Sequence, residues 1–322
     1  MRWNQSCGAG EEVLLVNERE VAERLTAARC VEAVEGVFRE LGLGAVPAPR
    51  VLSLHAEAGA FHIKAALAGG YFVAKVNANY PGNPSVGLPT IQGVLALFET
   101  KTGRLLALMD SAELTARRTG AATGVAVKYL ALEKPMTVTL VGCGRQARSQ
   151  IESVAAVRPI ERLFLCDADP ATARSLAVTL SDVMDAEVVL VESLFNHTRE
   201  SDVVITCTPS RSAYLTQDAL RPGCLVAAVG ADNPHKQEIV PELMARSRVV
   251  VDLLEQCVVL GDLHHAIAAG VMSAGDVHAE LGDVVSGRRP GRTAESDVIV
   301  FDSTGIALQD VAAAIMVYRS DQ

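Results

Sequence analysis

The run LVGCGRQA, Leu140 to Ala147, sets Gly142, Gly144 and Ala147 at the spacing G-x-G-x-x-A. It follows an apolar, β-rich run and opens a helical pattern, the context in which such a turn receives a dinucleotide. Gly142 makes the tight turn, Gly144 lets the backbone approach a pyrophosphate, and Ala147 lets the helix lie close on the sheet. The helix N-terminus then offers N–H groups and partial positive charge to the anion. Arg145 and Gln146 in the turn, and Thr208 after the later apolar run VVITC, complete the candidate cofactor contacts in this part of the chain. Asp167, 25 residues after Gly142 in LFLCDADP, stands near the spacing at which a carboxylate accepts hydrogen bonds from the adenosine ribose hydroxyls. An acid there repels a 2′-phosphate, so NAD(H) is favoured, while Arg145 and Arg174 leave NADP(H) open.

A second set of residues suits redox chemistry on an amino or imino acid, which needs a cationic clamp for the carboxylate and a group to move a proton. Its candidates sit where glycines and prolines interrupt the strand-like runs: Arg50 after VPAP, Lys75 in YFVAKVNAN, Arg118 and Thr119 in LTARRTGAAT, and Asp232 in VGADNPHKQE. Each also has a plainer reading. Arg50 suits a surface strand start, and Lys75 alternates with apolar residues and so can point to solvent. Of the adjacent Arg117 and Arg118, at least one is expected to be solvated. Asp232 follows the apolar run LVAAVG, at the carboxyl edge where ligands of open α/β sheets bind, and is expected to face the cofactor. His62 and Lys64 alternate along AFHIKAAL; they either line a solvent face or help select a second acidic or polar group on a substrate. His264 and His265 read as packing or surface residues, and no His/Cys/Asp cluster has the spacing of a metal site.

The elements that must position these residues fall into two patterns. From Val13 to about Thr115 the chain reads as α+β. It has a strand VLLV, one amphipathic helix through EREVAERLTAARCVEAVEGVFRELG, and the short runs RVLSLH, AFHIKAAL, YFVAKVNAN, GVLALFET and RLLALMD, the last two joined by a KTG turn. A long helical pattern, SAELTARRTGAATGVAVKYLAL, follows, capped by Asp110 or Ser111. From Pro135 strand and helix alternate, which argues for a parallel sheet with covering helices. The chain ends in a strand, a DSTG turn and a helix. We therefore expect an α/β protein with an α+β domain at 1–115 and a dinucleotide-binding domain at 116–304.

Bulk properties narrow the classes further. A length of 322 residues suits two domains. The net charge of −9 is dispersed, which argues against nucleic acid as a partner. The seven cysteines, including Cys7, contain no C-x-x-C pair and read as reduced thiols of a cytoplasmic protein. The leader MRWNQSCGAGEE reads as a loose tail without a signal peptide. No apolar run reaches the roughly 20 residues of a membrane helix.

Taken together, GLPTIQGVLALFETKTGRLLALMDSAELTARRTGAATGVAVKYLA, LVGCGRQA, VGADNPHKQEI and FDSTGIALQD resemble the ornithine cyclodeaminase/mu-crystallin family over nearly the whole chain. The resemblance implies a homodimer whose subunit pairs an α+β substrate and dimerisation domain, to which the C-terminal helix 305–322 returns, with an NAD(P)-binding Rossmann domain. It also implies roles. Arg50 and Arg118 match the arginines that hold the substrate carboxylate, Lys75 the lysine beside the reacting carbon, and Asp232 the acid that handles protons at the amine. Thr119 matches a residue next to the cofactor phosphates, and Ser303 and Gly305 fall in the turn near the nicotinamide. VGADNPHKQEI is closer to the alanine dehydrogenase type than to the cyclodeaminase form, and LHHAIAAGVM with AELGDVVSGRRPGR resembles the imino-acid reductase branch. The expected activity is NAD(H)-dependent reduction of a small α-imino acid, formed from a 2-oxo acid plus an amine. The alternatives are an ornithine or lysine cyclodeaminase that releases ammonia, and a mu-crystallin-like binding protein without turnover.

Overall fold

The computed structural model describes residues 2–4, 12–181 and 184–320. The chain divides into two compact units, Met1–Arg118 with Ile306–Gln322, and Thr119–Gly305.

The first unit holds a seven-stranded sheet: β1 (Arg2–Asn4), β2 (Glu12–Val16), β3 (Arg50–Ala56), β4 (Gly59–Ala68), β5 (Tyr71–Asn79), β6 (Ile91–Glu99) and β7 (Leu105–Asp110), in the order β1-β2-β7-β6-β5-β4-β3. All neighbours are antiparallel except β2 and β7. Part of the leader thus joins the sheet, because Arg2–Asn4 pairs with Glu12–Val16; the rest of the expected tail, with Cys7, lies outside the described residues.

The amphipathic stretch after β2 forms two helices where one was expected. Glu18–Arg24 opens on a capping box, in which Glu20 N–H donates to Asn17 Oδ1 at 3.0 Å and Asn17 N–H to Glu20 Oε2 at 2.8 Å. It stops at Leu25, and Thr26 caps the next helix, Ala27–Gly42. The break is sealed by arginines. Arg29 Nη1 donates to the Arg24 carbonyl at 3.0 Å, and Arg117 Nη1 to the Leu25 carbonyl at 2.8 Å. Arg117 also pairs with Glu113 at 2.7 Å, so neither Arg117 nor the buried Arg118 is a solvated charge.

One face of this sheet carries Val73, Leu95, Leu97, Ala107 and Met109, all buried, together with the helices Ala27–Gly42 and Ala307–Arg319. Directly paired residues share a face of a sheet, so the register divides the candidates. Lys75 pairs with Lys64 and Leu95, and His62 with Asn77, on this covered face. The other face exposes Leu52, Leu54, Phe61, Leu67, Val76 and Val94.

The second unit is an eight-stranded, all-parallel sheet: β8 (Met136–Val141), β9 (Ile160–Cys166), β10 (Glu187–Leu190), β11 (Val203–Thr206), β12 (Leu225–Ala228), β13 (Arg248–Val251), β14 (Ala279–Glu280) and β15 (Ile299–Asp302), in the order β10-β9-β8-β11-β12-β15-β13-β14. Its central strands are mainly apolar and buried, as strands covered on both faces must be, with Thr139, Thr206 and Asp302 as buried polar members. The chain runs outward from β8 through β9 to β10, then crosses to β11 on the other side of β8. That reversal places a crevice at the carboxyl ends of β8 and β11, where an α/β sheet of this doubly wound, Rossmann type binds its ligand. Six cysteines, Cys30, Cys143, Cys166, Cys207, Cys224 and Cys257, are free thiols.

Candidate active site

The first unit gathers a buried ionic cluster from three elements. Lys75 on β5 is buried, and its Nζ donates to Asp310 Oδ1 at 2.8 Å and to Thr115 Oγ1 at 3.2 Å. Arg118, on the helix Ser111–Leu130, donates from Nε to the same Asp310 oxygen at 2.9 Å and from Nη1 to Gln309 Oε1 at 2.8 Å. Asp310 and Gln309 sit on the terminal helix Ala307–Arg319 and are fully buried. Burial pushes the Lys75 ammonium down to about 7; Asp310 opposes the fall, and Arg118 and Lys64 add to it. Burial alone would raise the Asp310 carboxyl, yet Lys75, Arg118 and Lys64 hold it below the usual carboxylate range. A lysine poised near neutrality beside an immobilised guanidinium can donate a proton to a substrate whose carboxylate the arginine holds.

The helix that carries Arg118 is fixed by its own start. Asp110 Oδ1 accepts from the N–H groups of Ala112 and Glu113 at 2.9 and 3.3 Å, and Ser111 Oγ donates to Asn77 Oδ1 at 2.7 Å. Gly93 is obligatory beneath this contact, since an added Cβ would stand 2.3 Å from Asn77 Oδ1 and 2.7 Å from Ser111 Oγ.

Arg50 is placed elsewhere. It opens β3 opposite Ala65, which pairs with Ala74, so it belongs to the sheet face away from Lys75, and it is exposed. His62 lies on the covered face with Lys64 and Lys75, and its Nδ1 meets Ser53 Oγ at 2.8 Å.

The second unit builds the glycine turn. Gly142 has φ +93°, and a Cβ there would stand 2.9 Å from the Cys207 carbonyl oxygen and from Thr208 Cγ2, so only glycine fits. Around Gly144, by contrast, no described residue lies within 4 Å of where a Cβ would be, which leaves its backbone open to a phosphate. Ala147 is fully buried at the start of the helix Ala147–Ala155, while Arg145 is exposed and Gln146 half-buried just before it. Gly120, one residue after the buried Thr119, seats its helix on this one: a Cβ there would stand 2.2 Å from the Ser149 carbonyl oxygen. Asp167, at the end of β9, accepts from Cys143 N–H at 2.6 Å and from Asp169 N–H at 2.8 Å. It thereby braces the turn and keeps lone pairs for a ribose. The turn, the open Gly144 backbone and Asp167 fit a dinucleotide.

Two further anchors had not been singled out from the sequence. Glu238, fully buried, collects Thr208 N–H, Thr208 Oγ1 and Tyr214 O–H on Oε1 at 2.7, 2.6 and 2.9 Å, and Thr206 Oγ1 and Gly230 N–H on Oε2 at 2.8 and 2.9 Å. It ties together the carboxyl ends of β11 and β12. Asp252 does the same for the DSTG turn, accepting from Ser303 Oγ at 3.1 Å, Thr304 Oγ1 at 3.2 Å and Gly305 N–H at 2.7 Å, with Gly305 at φ +78°. The signal for Asp252 is an acid closing the apolar run SRVVV, the same signature that exposed Asp167. Asp310 and Gln309 are a polar pair inside the apolar run IALQDVAAAIMV, which marks buried polar residues with partners elsewhere. Asp232, beyond β12, is exposed at the carboxyl edge, where Lys236 Nζ donates to it at 2.8 Å and Asn233 Nδ2 at 3.2 Å. A polar cavity of about 710 Å³ lined by Arg246, Arg248, His278 and Ser296 lies at the opposite, amino edge of β13 and β15, away from the glycine turn.

Fold and turn together define a dinucleotide-binding α/β protein whose other unit carries a buried amine–guanidinium–carboxylate cluster. The profile of the ornithine cyclodeaminase/mu-crystallin family matches residues 11–322, and the chain belongs to that family. Among solved structures it is similar to an archaeal alanine dehydrogenase, a dimer with bound NAD, at 35% identity and a TM-score of 0.90 over 96% of this chain and 95% of that one. The Δ1-pyrroline-2-carboxylate reductase of Thermococcus litoralis, in complex with NADH and L-proline, is 31% identical with a TM-score of 0.91 over 96% and 97%. The iminosuccinate reductase of Paracoccus denitrificans, in complex with NAD+, is 31% identical with a TM-score of 0.87 over 96% of each chain.

Proposed function

We propose that the protein is an NAD(H)-dependent imino-acid reductase, working reversibly as an amino-acid dehydrogenase on a small α-imino acid. The observation that carries this reading is the burial of Lys75 beside Arg118, an ammonium near neutrality next to a fixed guanidinium. Arg118 holds the substrate carboxylate, which orients the planar C=N group. Lys75 donates its proton to the imine nitrogen and is reprotonated from solvent, and by the family resemblance Asp232 pairs with the charged iminium nitrogen that this transfer creates. Bound NADH would supply the hydride to the imine carbon. Gly142, Gly144, Arg145, Gln146, Ala147, Thr119, Thr208, Ser303 and Gly305 would hold the dinucleotide, and Asp167 at the ribose disfavours a 2′-phosphate. We assign the exposed apolar face of the first unit's sheet, Leu52, Phe61, Val76 and Val94, to a second copy of the chain, in keeping with the dimeric alanine dehydrogenase. Arg50 opens a strand of this same face, so its part in carboxylate binding rests on the family resemblance alone.

The deciding assay follows NADH fluorescence and free ammonia together. Pyruvate, glyoxylate and oxaloacetate are each offered with ammonium or methylamine, then a cyclic imino acid, then ornithine and lysine with NAD. Stoichiometric NADH consumption on an imine is expected. Ammonia released from ornithine or lysine without NADH accumulation would establish a cyclodeaminase instead, and NADH binding with no turnover on the whole panel would leave a binding protein. Within a working reductase, Asp232→Asn should lower turnover more than cofactor affinity. Unchanged turnover would remove Asp232 from the mechanism.

A further inference from the structure

We infer that Asp310, delivered by the returning C-terminal helix, is the positioning residue that fixes Lys75 and Arg118 as one unit and keeps a counter-charge in place when Lys75 gives up its proton. The inference rests on the proposed reductase reading for what the two cations do, and on geometry alone for how they are held.

Three elements far apart in sequence meet at a single carboxylate oxygen. Asp310 Oδ1 accepts from Lys75 Nζ at 2.8 Å and from Arg118 Nε at 2.9 Å. Gln309, next to it on the same helix, accepts from Arg118 Nη1 at 2.8 Å. Two edges of the guanidinium are thereby committed, which sets its plane and leaves the remaining donors of the fork for a carboxylate. All four side chains are buried, so none of these contacts is diluted by water.

The shared oxygen has a chemical consequence. A buried carboxylate whose only cation was Lys75 would be left uncompensated once that lysine transferred its proton, a costly state in a low-dielectric site. Here Arg118 remains on the same oxygen, so the ion pair survives the proton transfer. Among the described residues, two buried atoms of the pair have no hydrogen-bond partner, Asp310 Oδ2 and Gln309 Nε2, one acceptor and one donor side by side in sequence. They can receive an ordered water or the polar groups of a bound substrate.

The charged groups facing Lys75 come from every packed element: Asp310 from the terminal helix, Arg118 from the helix Ser111–Leu130, and Lys64 from the neighbouring strand. The nearby Cys30, on the helix Ala27–Gly42, is a neutral thiol, pushed up to about 12 by burial. Asp310 is the one anion among them, and it alone favours the protonated form of Lys75.

The test replaces Asp310 with asparagine and reads two quantities. The first is the 13Cε shift of Lys75 against pH in lysine-labelled protein, assigned with Lys75→Arg; this readout needs no activity. The second is the pH profile of kcat/KM for imine reduction. In Asp310→Asn the Lys75 midpoint is expected to move down from near neutrality by about one pH unit or more, a tenfold change in the protonated fraction above it. The falling limb of kcat/KM should move down with it, and NADH affinity should stay unchanged. Gln309→Leu, which removes only the second arginine contact, is expected to raise KM without moving either midpoint. A folded Asp310→Asn protein whose Lys75 midpoint stays put overturns the proposal. If Asp310→Asn does not fold, a Gln309→Leu protein that shifts the Lys75 midpoint or leaves KM unchanged overturns it instead. Should the protein reduce no imine, the 13Cε titration still decides the role of Asp310, and the two failures remain separate.

Discussion

Each unit of the molecule buries a set of ionisable groups, and the two sets are built on opposite plans. In the first unit two cations, Lys75 and Arg118, converge on one carboxylate, and part of their donor capacity is left over. In the second unit the carboxylates predominate, and most of their acceptor capacity is consumed internally: Glu238 takes five donors, Asp252 pins the DSTG turn, and Asp262 Oδ1 holds the Glu238 and Ile239 N–H groups at 2.9 Å. Hydrogen bonds from backbone and hydroxyl groups fix geometry without a second charge, which suits a frame for loops. A cation cluster with spare donors suits an anionic ligand. Burial alone does not distinguish a site from a scaffold; the kind of group left unspent does, spare cationic donors in the first unit against spare carboxylate oxygens of Asp262 and Asp302 in the second.

The largest effect expected from this contrast is on activity. Lys75→Met should lower imine reduction by about 10³-fold or more, because the proton donor is gone. It should leave NADH binding intact and the protein at least as stable, because it removes a desolvated ammonium while Asp310 keeps Arg118. Steady-state rates, NADH fluorescence titration and thermal melting on one preparation check all three. A variant that melts lower and keeps its activity would place Lys75 with the scaffold and erase the contrast.

Glu238→Gln should show the reverse pattern. The amide turns a donor toward a site where five donors already converge, so a loss of about 2–4 kcal/mol is expected in urea unfolding. With Thr208 and Gly230 released, NADH affinity should weaken by about tenfold, while kcat at saturating cofactor changes little. A normal unfolding midpoint would show that the carboxylate is not the tie its contacts describe.

The two regions also differ in how much of them the sequence made visible. The glycine turn is local: Gly142, Gly144, Ala147 and the strand-ending Asp167 lie within one strand–helix–strand unit, so spacing alone reveals them. The alternating sheet is equally local, since the register follows the expected strand runs on β3 to β7. The cation cluster is not local. Asp310 lies 235 residues from Lys75 and 192 from Arg118, and no pattern within either stretch announces the other. Nor does alternation say which face of a strand is covered. Lys75 could equally have pointed to solvent, and Arg50 lies on the opposite face by a single step of the pleat. Arg117 was obscure for a similar reason, because its acceptor at Leu25 exists only once the preceding helix breaks.

The smallest effect tests the contrast through pH. Burial, followed by the charge of Glu238, raises the Asp262 carboxyl from 3.8 to about 7. Between those values the folded protein holds a proton that the unfolded chain has released, so this group's contribution to stability falls as pH rises and stays low above about 7. Lys75 runs the other way. Its ammonium is lowered from 10.5 to about 7, so over that range the unfolded chain binds the extra proton and stability rises with pH. Asp262→Asn keeps an oxygen for the two backbone N–H groups and removes the charge to which the buried Asp302 carboxyl responds. It should raise the free energy of unfolding in urea titrations at pH 8 by about 1 kcal/mol, and change it little at pH 4. Lys75→Met should flatten only the limb above pH 7. If Asp262→Asn instead weakens the protein at pH 8, the second unit depends on that charge, and its carboxylates cannot be treated as a neutral frame.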